Sequence, residues 1–189
     1  MKKSIFILGC TIVLLSACNN EASNPVEKAD SLNEAKQDQM PVESASVENT
    51  SKFLVKAADH GMAEVELAKL GEERATQQSV KDFAAMMVKD HTAANAEVSA
   101  LAAKLNVTLP ATYAEEHKKT AADLRDKKAK DFDKDFMDAM ISNHKKTIDE
   151  FKDASDDDMN AEVKTFITTT LPTLQSHLDA AEKIRKAMK

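Results

Sequence analysis

The chain of 189 residues contains no Trp, one Tyr and seven Phe, so its core must be filled mainly by aliphatic side chains and Met. Glycine is scarcer still, at three residues, of which only Gly61 and Gly71 lie beyond the first fifty. Hairpins and phosphate-cradling loops draw on glycine, and runs of alternating β-branched residues are missing as well. Both a sheet-rich fold and a Gly-rich nucleotide loop are therefore disfavoured. There is no CxxC pair; the two cysteines are Cys10 and Cys18. Basic residues number 26 against 32 acidic ones and form no stripe, which argues against nucleic acid as a partner.

What is present begins with an address. Lys2 and Lys3 precede an apolar run from Ile5 to Leu15, too short to span a membrane and suited to a secretory signal. The run ends in Leu15-Ser16-Ala17-Cys18, the pattern of a bacterial lipobox. Residues 1–17 are thus expected to be a lipoprotein signal peptide, and Cys18 the lipid-bearing first residue of the mature chain. Cys10 would leave with the signal, so the mature chain would have no intramolecular disulfide. Several acyl chains on Cys18 would hold it stably to a membrane. Asn19 stands where inner-membrane retention in enteric bacteria uses Asp, which points to the outer membrane facing the periplasm. Loss of Lys2 and Lys3 leaves 24 basic residues, a formal charge of −8.

Residues 18–50 are polar, carry Pro25 and Pro41, and show no sustained apolar period. They are expected to form a disordered tether reaching roughly 30 Å, with room for a short helix around 27–39. Residues 51–189 are rich in Ala, Leu, Met, Lys, Glu and Asp, which favour helix throughout. Punctuation divides them into long helices over about 52–74, 77–105, 131–154 and 159–188, with a short one over about 113–127. Ser51 or Thr50 is the expected cap of the first, and Thr112 with Glu115 forms a capping-box pattern for the short one. Pro172 should kink or break the last helix. The predicted fold is all-α: a four-helix bundle with a short extra helix between the second and third long helices. The long connection leaves those two helices either parallel or antiparallel.

Two segments read alike: FAAMMVKDH at 83–91 and FMDAMISNH at 136–144 each place Phe, Met and His four residues apart. At 100° per residue, His91 lies within the apolar stripe of Val80, Phe83, Met87 and Val98. His144 lies likewise among Phe136, Met140, Ile141 and Ile148, and His177 among Phe166, Leu174 and Ala181. At 1.5 Å per residue the three are offset by about 0–6 Å from the middles of their helices, which allows one layer. Glu64 and Glu66 reach a similar height from the first long helix, at the margins of its apolar face. Either can serve as a flanking charge or as a ligand.

The runs MAEVELAKLGEERA at 62–75, VKDFAAMMVKDH at 80–91, LNVTLP at 105–110 and LPTLQSHL at 171–178 resemble a bacterial family known as domain of unknown function 4142. The likeness covers about residues 51–188. It implies a ferritin-like four-helix bundle, usually exported, without an established activity. By position its motif residues are Glu64, Glu66, Asp90, His91, His144 and His177. Di-iron carboxylate centres of ferritin-like bundles use Glu-x-x-His on two helices. No histidine here has Asp or Glu three residues before it, so that chemistry is disfavoured.

Three functional readings follow. The core histidines form a structural polar cluster, hydrogen-bonded to Asn95, Thr170, Thr173 or a carboxylate. Or His91, His144 and His177, with Glu64 or Glu66, hold a transition metal such as zinc, copper or iron. Met87 and Met140, one turn before two of the histidines, would favour Cu(I) if their thioethers joined, although Met at this spacing also serves as core filler. Or the bundle is a non-catalytic interaction or stress-related protein of the envelope, with an unspecified protein partner. No nucleophile–base constellation is visible, so an enzyme is not expected. His60 and Glu64 have the i,i+4 spacing of a surface pair, and His117 is expected to be exposed. The DASDDD turn at 153–158 lacks the Gly and terminal Glu of a calcium loop and reads as a solvated cap.

Overall fold

The computed structural model describes residues 24–39 and 45–188; the expected signal peptide and lipobox, with Cys18, lie outside them. The described residues form six helices and no strand. They are α1 (Pro25–Gln37), α2 (Ala45–Arg74), α3 (Gln78–Lys104), α4 (Glu115–Arg125), α5 (Ala129–Asp156) and α6 (Ala161–Ala187). None is long and apolar enough to cross a membrane.

Helices α2, α3, α6 and α5 follow one another around a four-helix bundle, and α4 packs on α2 and α5. The apolar stripes meet in two clusters, one at each end. One gathers Leu67, Val80, Phe83, Met87, Phe132, Phe136, Met140 and Ala181. The other gathers Phe53, Leu54, Val98, Ile148, Phe151, Val163, Phe166 and Leu174. Helix α2 runs from the second cluster to the first, α3 and α5 run from the first to the second, and α6 returns. Ring neighbours are therefore antiparallel, while α3 and α5, on a diagonal, are parallel. This resolves the ambiguity of the long connection: residues 105–128 carry the chain back along the full bundle, and α4 is the crossover.

Local chemistry holds the ends of the crossover. At its start, Asn106 adopts φ 57°, the left-handed conformation Asn tolerates, and the Val107 N–H donates to the Ala102 carbonyl at 2.8 Å. At its far end, the Arg74 guanidinium donates to the carbonyls of Leu124, Arg125 and Lys127, supplying positive charge to the C-terminus of α4. The α2–α3 turn is closed by Asp133 of α5. Its buried carboxylate accepts from the N–H groups of Thr76 and Gln77 and from the Thr76 hydroxyl, all at 2.8 Å.

Several expectations need correction. Within 18–50, residues 25–37 form α1 and 45–50 belong to α2, so this stretch is not simply a disordered tether. α1 packs on α2 with Ala29 and Asn33 buried. Asn33 exchanges hydrogen bonds with the Thr108 backbone, receiving from its N–H at 2.7 Å and donating to its carbonyl at 2.9 Å. Lys36 donates to the Asn106 carbonyl. The short helix allowed for around 27–39 is present as α1, and its packing on α2 and its polar contacts with the distant loop make it part of the folded unit. Thr50 and Ser51 are buried inside α2 rather than capping it; the Thr50 hydroxyl accepts the Asn160 N–H before α6. Ala114, not Thr112, precedes the first residue of α4. Asn160 caps α6, which continues through Pro172.

Candidate metal centre

A polar layer separates the two apolar clusters. In sequence, His91 falls between Met87 and Val98, His144 between Met140 and Ile148, and His177 between Leu174 and Ala181; each pair spans both clusters. Glu64 falls likewise between Ala58 and Leu67 on α2. All four residues are buried, with relative exposures of 4% for Glu64, 7% for His91, 1% for His144 and 3% for His177. The imidazole centroids stand 5.5 Å apart for His91–His144, 5.4 Å for His91–His177 and 5.6 Å for His144–His177. One nitrogen from each ring lies within 4.8 Å of one from each of the others.

The second nitrogen decides the protonation of two rings. His144 Nδ1 is 2.9 Å from the Met140 carbonyl oxygen, which can only accept, so Nδ1 carries the proton and Nε2 keeps a lone pair. His177 Nε2 is 3.1 Å from Asp90 Oδ2, so Nε2 donates and Nδ1 is bare. Those two bare atoms, with His91 Nε2 and Glu64 Oε2, are the buried side-chain nitrogens and oxygens that lack a hydrogen-bond partner among the described residues. All four belong to one layer. Buried polar atoms without partners are costly, and here they are concentrated where three helices and a carboxylate meet.

Burial sets the charge of the layer. It pushes the His91 imidazole down to about 3, with its histidine neighbours adding to the effect, so His91 is neutral at neutral pH. Burial lowers His144 against the pull of the Met140 carbonyl, and lowers His177 against its bond to Asp90. Burial raises Glu64 to about 7, opposed by a hydrogen bond from Asn143 and by surrounding histidines. His144 Nδ1 lies 4.0 Å from Glu64 Oε2. A cavity of about 50 Å³, room for an ion and a water, is lined by Gly61, Glu64, His91, Asn95, Thr173 and His177 among others.

Other candidates fall elsewhere. Glu66, two residues and about 200° around the helix from Glu64, bonds Arg125 at 2.9 Å in a partly exposed ion pair, so it is not part of the layer. Met87 and Met140 are buried in one apolar cluster, and neither lines the cavity. Both side chains are fully buried within that apolar packing. His60 pairs with Glu150 at 3.1 Å rather than with Glu64, and His117 is largely buried against Asp59 at 3.2 Å. Sequence inspection missed Asp59, Glu150 and the partnering role of Asp90. None has a periodic signal, because each acts on a residue from another helix.

The family model described as domain of unknown function (DUF4142) matches residues 34–184. The chain belongs to this family. The DUF4142 match begins inside α1, consistent with that helix being part of the folded unit. The bundle is similar to a crystal structure of a DUF305 fragment from Deinococcus radiodurans, with a TM-score of 0.67 and 16% identity. That likeness covers 74% of this DUF4142 chain and 97% of the fragment, and it concerns the fold. No curated protein matches.

Proposed function

We propose that this protein is a lipid-anchored envelope protein whose bundle core binds one transition-metal ion through His91, His144 and His177, with Glu64 as a fourth donor. One observation carries the reading: among the described residues, the buried side-chain nitrogens and oxygens without a hydrogen-bond partner are three imidazole nitrogens and a carboxylate oxygen in a single layer. Neutral imidazoles with bare lone pairs are the form that coordinates metal. Asp90 behind His177 is the carboxylate–histidine arrangement that orients metal ligands. Three nitrogens and one oxygen suit a borderline ion such as Zn(II), Cu(II) or Fe(II) better than Mg(II) or Ca(II). The bound ion would complete a layer that is otherwise left with lone pairs facing one another. The role is holding or delivering metal in the envelope; export and lipidation rest on the lipobox at Cys18.

The test is elemental analysis of the protein purified from cells supplied with zinc, copper or iron, then titration of the stripped protein with each ion. One tightly bound ion at the triad is expected, and a His91→Ala/His144→Ala variant should lose it. Equal binding by the variant would overturn the reading and leave a purely structural polar layer. Label from a radioactive fatty acid should appear on the full chain and vanish in Cys18→Ala.

A further inference from the structure

A second group of metal-type donors lies beside the triad and nearer to solvent. Asp59 and His60 from α2 meet His117 from the crossover helix α4, with one donor atom of each within 4.8 Å of the others. Asp59 Oδ2 and His117 Nε2 are 3.2 Å apart. Two donors on one tetrahedral zinc with bonds of ~2.0–2.1 Å stand about 3.3 Å apart. Asp59 is aimed by the Ala114 N–H, which donates to Oδ1 at 2.6 Å and leaves Oδ2 turned towards His117. Glu150 receives His60 Nδ1 at 3.1 Å, which fixes the proton there and leaves Nε2 with its lone pair. Side-chain exposures are 12% for His60, 11% for His117 and 7% for Asp59, against 1% for His144 and 3% for His177.

Glu64 joins the two groups. Its partnerless Oε2 belongs to a carboxylate that lines both the cavity beside His91 and His177 and a smaller one, of about 10 Å³, lined by His60 and His117. His60 and Thr147 also line both cavities, so the two share a wall. Around the outer group the charge is mainly acidic: Glu116 Oε1 lies 3.7 Å from His117 Nε2, and Glu150 faces His60, with Lys146 paired to Glu116 at 3.5 Å. A cation is attracted to such a rim.

We propose that Asp59, His60 and His117 bind a second divalent metal ion, in an outer site that loads the triad by way of Glu64. The hand-over clause rests on the triad's being a metal site; the outer binding site stands without it. Binding there breaks the His117–Asp59 hydrogen bond; the His117 ring exchanges its proton through solvent from Nε2 to Nδ1, and Nε2 and Asp59 Oδ2 both turn lone pairs to the ion. The carboxylate of Glu64 then offers an oxygen to the ion on the inner side, where the bare nitrogens of His144 and His177 and the partnerless Nε2 of His91 wait. No electron is transferred and no net proton is released: one carboxylate and two neutral imidazoles leave the occupied site a charge of +1, faced by Glu116 and Glu150.

The experiment uses Zn(II) alone as probe on the metal-stripped mature protein. Bound zinc is counted after gel filtration, and loading is followed by stopped flow against a fluorescent zinc chelator. The wild type is expected to hold two ions, Asp59→Ala/His117→Ala one, and His91→Ala/His144→Ala one. The outer variant should load its single ion at least tenfold more slowly than the wild type fills its inner site. His117→Gln, which keeps a polar group on α4, guards against loss of fold, and circular dichroism should be unchanged in it. An outer variant with wild-type stoichiometry, or a triad variant holding no zinc while the wild type holds one, overturns the outer site. Wild-type loading rate in the outer variant overturns the hand-over. A single wild-type ion lost only in the outer variant supports the outer site and sinks the triad reading instead.

Discussion

Gly71 of α2 faces Phe136 of α5 so closely that a Cβ there would stand 2.5 Å from Cζ and 2.8 Å from Cε2, with Ala84 of α3 at 3.0 Å on the other side. Phe136 is fully buried and stacks on Phe132, with ring centroids 5.8 Å apart, so it cannot swing aside. Glycine inside a helix costs about 1 kcal/mol relative to Ala, and here it is retained because three helices converge on it. Gly71→Ala should therefore destabilise the fold by about 1–2 kcal/mol, the overpacking cost exceeding the helix gain. At Gly61 the added Cβ would meet the amide end of the Asn95 side chain, which is free to move. Gly61→Ala should be near neutral in a urea melt. Equal effects from the two would refute this account of close packing.

Asp133 joins α5 to the start of α3 through bonds from two backbone N–H groups and a hydroxyl. Those N–H groups lie just before the first turn of α3, where no side chain of α3 itself acts as a cap. Asp133→Ala should cost about 2–3 kcal/mol, since it removes the charged acceptor of three hydrogen bonds at the start of α3. Calorimetry should show a melting temperature lower by roughly 5–10 °C, given about 2–4 °C per kcal/mol for a chain of this size. Asp133→Asn should recover part of the loss.

Asp90 holds His177 by its Nε2 proton. Asp90→Asn replaces a charged acceptor with an amide that can also donate, so the bare nitrogen of His177 is no longer assured. If the triad binds metal, zinc affinity should fall about 10–100-fold in chelator competition, with little change in far-UV circular dichroism. Unchanged affinity would show that Asp90 only fills space at the surface.

The metal-free protein should respond to pH through two opposed groups. His91 has its pKa depressed from 6.5 to about 3 by burial. Below pH 6.5 the unfolded chain takes up a proton that the fold refuses, so stability falls as pH drops from about 6.5 towards 3. Glu64 has its pKa raised from 4.5 to about 7 by burial. Between those values the fold keeps a proton that the unfolded chain releases, so stability falls as pH rises through that window, by up to about 3 kcal/mol. Glu64→Gln removes the second effect alone. In urea melts with chelator present, the variant should gain on the wild type between pH 4.5 and 8. A constant difference across that range would contradict a buried, titrating Glu64.

Much of the bundle could be read from residue order. The stripes through Val80–Val98 and Phe136–Phe151 pointed His91 and His144 inward, and the structure places both rings in the core, 5.5 Å apart. Periodicity succeeds there because a side chain's direction around its own helix depends only on its position along it. Helix ends were less legible. α2 begins at Ala45, before the Thr50 and Ser51 that looked like caps, because both hydroxyl residues are buried against other segments. The docking of α1 by Asn33 and Lys36 onto residues 106–108 has no local signal, since its partners are some seventy positions away.

Residue order alone carries the helical character of the chain, its four long amphipathic segments and the presence of three histidines on their apolar faces. Long-range packing is what sets α3 and α5 parallel, brings Glu64 into the layer while Glu66 turns to Arg125, and joins Asp59 to His117 across the crossover. The division has a physical cause. Local periodicity sets which way each side chain leaves its own axis, whereas the rotation and height of one helix against another come from packing contacts between residues far apart in the chain.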